Sequence, residues 1–141
     1  MRLTLHTDYA LRTLMYLTAR SGRATIAQVA ELFGISAHHV AKVVNLLARL
    51  GYIRCIRGIG GGIELARHPE SVRLGDLIEA LEGDMHLLDC VDADNVCMLE
   101  SFCKLKGALA DAERVQIDYL NGITLKDVTP TRRQLNRLAP A

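Results

Sequence analysis

The sequence predicts a mainly α-helical protein: a winged helix-turn-helix domain with a small two-stranded wing, followed by one long helix. Three observations predict it. Two short amphipathic segments are joined by a tight turn holding Gly34. Two alternating apolar runs then flank a glycine-rich tip at residues 57–61. Half of the 141 residues are hydrophobic, but only 4% are aromatic and Trp is absent, so the core must be Leu, Val, Ile and Ala, which suits helices.

Thr7 opens the first segment, DYALRTLMYLTARSG. Its hydroxyl can accept from an orphan amide of a first helical turn, and Asp8 suits the positive end of the helix dipole. The segment is apolar on most sides, which predicts burial, and Gly22 is its predicted stop. Thr25 starts the second helix, with Ile26, Val29, Ala30, Leu32 and Phe33 as its apolar stripe and Gly34 as terminator. Only Ile35 separates that glycine from Ser36, a preferred N-cap type. AHHVAKVVNLLARLG follows and ends at Gly51. Two short helices joined this tightly form a helix-turn-helix.

YIRCIRGIGGGIELA reads as a β-hairpin, the wing, with Cys55 as a small core filler. After a break at Pro69, LGDLIEALEG reads as a short amphipathic helix. Residues 84–101 lose regular period and predict a loop. Helical spacing returns over residues 103–121, where Leu105, Leu109, Ala112, Val115 and Tyr119 share a face, and it stops at Asn121-Gly122. A short LKDV piece precedes Pro130 and a basic tail. The predicted division is residues 1–82 as the winged domain, 83–102 as a cysteine-containing loop, and 103–141 as a dimerisation helix with its tail.

Net charge is only +1, but its distribution is uneven. Residues 1–75 hold ten Lys/Arg against four Asp/Glu, and residues 76–141 hold seven against twelve. A basic front half is the footprint of a phosphate-backbone partner. At about 100° per residue, Val40, Val43, Val44, Leu47 and Leu50 fall on one side of the third helix. His38, Lys42, Asn45 and Arg49 fall on the other. Asn can pair with adenine, and Lys or Arg with guanine or phosphate. The N-terminal part of a recognition helix faces the bases, so Ser36, His38, His39 and Lys42 are assigned to the groove floor, and Asn45 and Arg49 to the backbone. Gln28 in the preceding helix, with Arg54, Arg57 and Gly60 in the wing, completes the candidate DNA-contacting set. A solvated face would also be polar; the preceding helix and the wing favour the DNA reading. GIGGG is followed by no Lys-Ser/Thr pair, which disfavours a nucleotide-binding loop. Helix-turn-helix modules usually act as dimers on paired half-sites, which makes the last long helix the dimerisation candidate.

Cys90, Cys97 and Cys103 are spaced C-x6-C-x5-C across the acidic loop. Thiolates there suit an iron–sulfur cluster, zinc or copper(I), with inert thiols as the alternative. Zinc would want a fourth protein ligand, and His86 is nearby. No apolar run reaches the roughly 18–20 residues of a membrane span and no signal-peptide pattern opens the chain. A cytoplasmic protein with unpaired cysteines is therefore expected. No catalytic triad or paired-carboxylate site is suggested, so no enzyme is predicted.

The motifs MRLT…TDYALRTLMYL, IRGIGGGIEL, VRLGDLIEALEG and LNGITLKDV, together with the three cysteines, resemble the NsrR/IscR family of winged-helix iron–sulfur regulators over nearly the whole chain. The resemblance implies a homodimer that binds double-stranded promoter DNA and represses while its cluster is intact. The iron–sulfur-biogenesis branch carries a His three residues after the third cysteine; here that position is Lys106. The nitric-oxide-sensing branch carries TDYxLR, whose aspartate is the fourth ligand of a four-iron, four-sulfur cluster on the other subunit. Asp8 holds that position, so this branch fits best and implies ligation by Cys90, Cys97, Cys103 and Asp8 of the partner subunit. Six residues rather than four or five separate the first two cysteines, which keeps a two-iron cluster and the iron-responsive relatives as alternatives.

Overall fold

Helix caps define the N-terminal domain of the computed structural model, which describes residues 2–94 and 97–138. Helix α1 (Leu5–Arg20) is capped by Thr4, whose hydroxyl accepts the Thr7 amide. Thr7 is therefore not the cap expected from sequence; it is fully buried one turn inside. The helix ends at Ser21, which takes the left-handed conformation (φ 54°) one residue before Gly22. Helix α1 is buried along one face only, through Thr7, Ala10, Thr13, Leu14 and Leu17.

Helix α2 (Ile26–Phe33) starts with a reciprocal capping box between Thr25 and Gln28 and ends at Gly34, with φ 63°. Ser36 caps helix α3 (Ala37–Arg49) by accepting the His39 amide. Val40, Val43, Val44 and Leu47 of α3 are buried against Leu14 and Leu17 of α1 and Val29 of α2. Strands β1 (Ile53–Ile56) and β2 (Gly62–Leu65) pair antiparallel, with Ile53 opposite Leu65 and Ile56 opposite Gly62. The chain before α2 joins this sheet: Ala24 and Ile63 exchange two backbone hydrogen bonds of 3.0 and 2.7 Å. Gly62 permits that approach, since a Cβ there would lie 2.4 Å from the Ala24 carbonyl oxygen. Cys55 is exposed on β1, not core filler; Ile53 and Ile63 do the filling.

Helix α4 (Leu74–Glu82) has no side-chain cap of its own at Arg73. The cap comes from the far end of helix α5 (Lys104–Asn121): the Asp76 amide donates to Asn121 Oδ1 at 2.8 Å, and Asn121 Nδ2 donates to Asp76 Oδ1 at 3.0 Å. Arg73 also donates to the Asn121 carbonyl at 2.7 Å. Gly75 makes the crossing possible, because a Cβ there would sit 2.3 Å from Asn121 Oδ1. Between α4 and α5 the described residues make two 3₁₀ turns, Asp89–Val91 and Glu100–Phe102.

After α5 the chain returns to the N-terminal domain. Helix α6 (Leu125–Val128) and helix α7 (Arg132–Asn136) each open with a capping box and each bury one leucine, Leu125 and Leu135. Leu125 joins the core that α1, α3 and α4 share, and α7 packs on α1. Residues 124–136 thus belong spatially with the first domain, and the basic tail contains a helix. No helix among the described residues is long and apolar enough to cross a membrane.

Candidate nucleic-acid interface and cysteine loop

On α3 the apolar and polar faces separate cleanly. His38, His39, Lys42, Asn45 and Arg49 are exposed, and so is Ser36, although its hydroxyl is committed to the cap. Among the described residues the Lys42, Asn45 and Arg49 side chains have no protein partner, which leaves their donors available. Gln28 is exposed, but its amide oxygen accepts the Thr25 amide, so its capping task limits what else it can do.

The wing is tied down from the turn before α2. Arg23 donates to the Gly60 carbonyl at 2.7 Å and pairs with Glu64 at 3.3 Å. Glu64 also pairs with Arg54 at 3.2 Å. Arg57, at the tip, is exposed. Arg67 stacks on Tyr52, 4.1 Å from the ring centre, and donates to the carbonyls of Leu50 and Gly51, closing the corner between α3 and β1. Arg23 was not among the residues expected from sequence; an Arg in the turn before a capped helix carries no local signal of a contact 37 positions away.

Asp8 lies one turn into α1, half-exposed, with both oxygens taken by Arg12 at 3.0 and 2.9 Å. Its neighbour Tyr9 packs against His39, ring centres 6.2 Å apart, so the second turn of α1 touches the first turn of α3.

All four cysteines are free thiols, with Cys90 and Cys103 half-buried and Cys97 exposed. Cys103 caps α5, its sulfur accepting the Lys106 amide at 3.4 Å. Lys106 then reaches back over the loop to the Ala93 carbonyl (3.2 Å), Asp94 (3.3 Å) and Glu100 (3.2 Å). The Glu100 carboxylate, followed by that of Asp94, holds the ammonium above the usual lysine range. His86 is held by Glu113 (3.0 Å), with Asp84 and Asp92 beyond. Glu113 raises the imidazole's affinity for a proton; the Leu87 amide, followed by His86, lowers that of the Glu113 carboxyl. No group of three or more metal-ligating side chains is gathered among the described residues. The donor set itself fits a thiophilic metal: three unpaired thiols on one loop, two of them half-buried.

Helix α5 contributes no buried residue, and Leu105, Val115 and Tyr119 are 59%, 63% and 72% exposed. They lie on the face expected from sequence.

A helix-turn-helix with a braced wing and a free cationic stripe defines a winged-helix DNA-binding regulator. Residues 3–131 match the family Rrf2, described as "Iron-dependent Transcriptional regulator", and the chain belongs to that family. It is a transcriptional regulator, not an enzyme. The HTH-type transcriptional regulator NsrR of Bacillus subtilis (strain 168) is 38% identical, the match covering 98% of this chain and 97% of that protein. Among solved structures, the global cysteine regulator CymR of B. subtilis has a TM-score of 0.73 at 21% identity, covering 92% of this chain and 96% of that one. IscR of T. potens has a TM-score of 0.69 at 22% identity, covering 90% and 85%. These two likenesses concern the fold.

Proposed function

We propose that this regulator is a cytoplasmic homodimeric repressor whose grip on double-stranded promoter DNA is set by an iron–sulfur cluster, four-iron or alternatively two-iron, that responds to nitric oxide. The observation that carries the reading is the full-length likeness to proteins named NsrR, in a chain that has Asp8 within TDYALR and three cysteines, Cys90, Cys97 and Cys103, on one loop. Cys90, Cys97 and Cys103 would hold the cluster, with Asp8 of the partner subunit as the fourth ligand. When bound, it supplies iron with one exchangeable carboxylate position, open to a small diatomic ligand. Asp8 would exchange its pairing with Arg12 for that bond, and Tyr9 beside it would carry the change to His39 on the reading helix. The apolar face of α5 supports a second copy of the chain as its cover. The DNA-contacting set is Ser36, His38, His39, Lys42, Asn45 and Arg49 of α3, Gln28 of α2, and Arg54, Arg57 and Gly60 of the wing.

The family description favours iron status as a second possible signal. A zinc site completed by His86 is the alternative use of the three thiols: Glu113 holds the ring through Nδ1, as a carboxylate does behind a metal-ligating imidazole, and leaves Nε2 to the metal.

The test is an anaerobic visible spectrum with and without nitric oxide, paired with DNA binding. The protein should be coloured, contain acid-labile sulfide and release DNA on exposure to the gas. A colourless protein with one zinc per chain overturns the reading. Asp8→Ala should keep the colour and change the response to nitric oxide; a normal response would leave Asp8 with Arg12 alone.

A further inference from the structure

The wing ends in an isoleucine that touches nothing. Ile59 is 110% exposed, more than any other large hydrophobic residue described. It stands between Gly58 (φ 92°) and Gly60 (φ 73°), and a Cβ added to either would meet nothing within 4 Å. The apex is open on every side, yet its backbone is fixed. The Gly61 amide closes the turn onto the Gly58 carbonyl at 3.0 Å, and Gly61 itself packs so closely that a Cβ would lie 2.4 Å from the Ile56 carbonyl oxygen. Arg23 holds the Gly60 carbonyl from the other side, and Ala24 holds β2.

Charge at this tip has one sign. Residues 56–62 contain Arg57 and no acid, and Glu64, the nearest carboxylate along the strand, is paired with both Arg23 and Arg54. A cationic tip with an apolar apex is the composition of proteins that enter the minor groove and wedge a side chain between base steps. A β-branched side chain has few rotamers to lose on being ordered there. Such a wedge makes no hydrogen bond, so it discriminates through the energy of deforming the step it enters, and pyrimidine–purine steps deform most readily.

We propose that Ile59 is an apolar wedge that enters the minor groove beside Arg57 and gives the protein a preference for a pyrimidine–purine step at that place. The inference rests on the DNA-binding reading above. Its test uses the full chain, purified anaerobically, and a duplex that this protein selects from a random pool, with a matched duplex in which the step under the wing is replaced by a purine–purine step. Ile59→Ala should bind the selected duplex about tenfold more weakly, which is about 1.4 kcal/mol. Its salt slope should be unchanged, because no phosphate contact is lost. It should no longer distinguish the two duplexes, and Ile59→Leu should restore the distinction. Unchanged affinity overturns the proposal. So does a loss with a shallower salt slope, or a loss of equal size on both duplexes. A wild-type chain that selects no duplex refutes DNA binding itself, a separate outcome.

Discussion

Gly75→Ala tests how the long helix is attached to the reading domain. The added methyl would lie 2.3 Å from Asn121 Oδ1 and 2.8 Å from the Ile117 carbonyl oxygen. The first distance is roughly 1 Å short of an ordinary contact, and the Ile117 atom is backbone, so rotating a side chain cannot clear both. Overpacking of this kind costs about 1–3 kcal/mol. Displacing Asn121 also uncaps α4, which costs about 1 kcal/mol. Alanine's better helix propensity returns up to about 1 kcal/mol. The net expectation is a loss of about 1–3 kcal/mol. With a urea slope of about 1–3 kcal/mol/M, the midpoint should fall by roughly 1 M. Chemical denaturation at one fixed protein concentration reads this, which keeps any self-association constant between variants. Asn121→Ala alone should also destabilise, by about 1 kcal/mol, and the double variant should lose less than the two singles together, because the methyl then meets less. An unchanged or raised midpoint for Gly75→Ala would refute the reasoning, and strict additivity would remove Asn121 from it.

Three further outcomes are expected. Lys42→Ala should lose discrimination at one base pair if the ammonium reaches the groove floor, or weaken binding to all DNA sequences alike and reduce the salt slope by about 0.9 if it meets a phosphate; an unchanged titration would take Lys42 off the interface. Arg23→Ala should leave the unfolding midpoint nearly unchanged, because exposed ion pairs contribute about 0–1 kcal/mol, yet lower DNA affinity several-fold by freeing the wing; equal affinity would mean that the wing needs no brace. The His86–Glu113 tie should be pH-dependent. His86 is raised, so its contribution is full below about pH 6.5 and is lost as pH rises through its folded value. Glu113 is lowered, so its contribution is present above about pH 4.3 and is lost as pH falls through its folded value. Unfolding midpoints at about pH 6 and 8 should differ in the wild type and differ less in Glu113→Gln; identical profiles would discard the tie.

The elements were legible where a local rule writes them. Gly34 followed by Ser36 announced the turn and the start of α3 because both act within one helical turn. The same rule misled at the start of α1. Thr4 and Thr7 are both cap-type residues three apart, and what selects Thr4 is distant: Glu82 at the end of α4 accepts from its amide and its hydroxyl. Helix α7 was hidden behind Pro130 and a run of basic residues, although Thr131 and Gln134 form a capping box that could have revealed it. Alternation placed Cys55 inside, but a two-stranded wing has too little sheet to cover every inward position. The polar stripe of α3 was readable at 100° per residue, since helix geometry alone sets it. Arg23 at the wing, Tyr9 against His39, and Lys106 over the cysteine loop arise from contacts between elements, which no window of sequence contains.

The two hydrogen bonds between Ala24 and Ile63 have a consequence for the DNA rather than for the protein. They fasten the wing to the start of α2, and α2 is fastened to α3 through the Gly34 turn. The separation between recognition helix and wing tip is therefore a fixed length. On a duplex, inserting one base pair between the segment under α3 and the segment under the wing moves one relative to the other by about 3.4 Å and turns it by about 35°. A hinged wing would follow that rotation; a stitched one loses one of its two contacts. If α3 and the wing both make the proposed contacts, an operator for this protein is defined by phase as well as by bases, and the site under one chain should tolerate substitutions more readily than insertions.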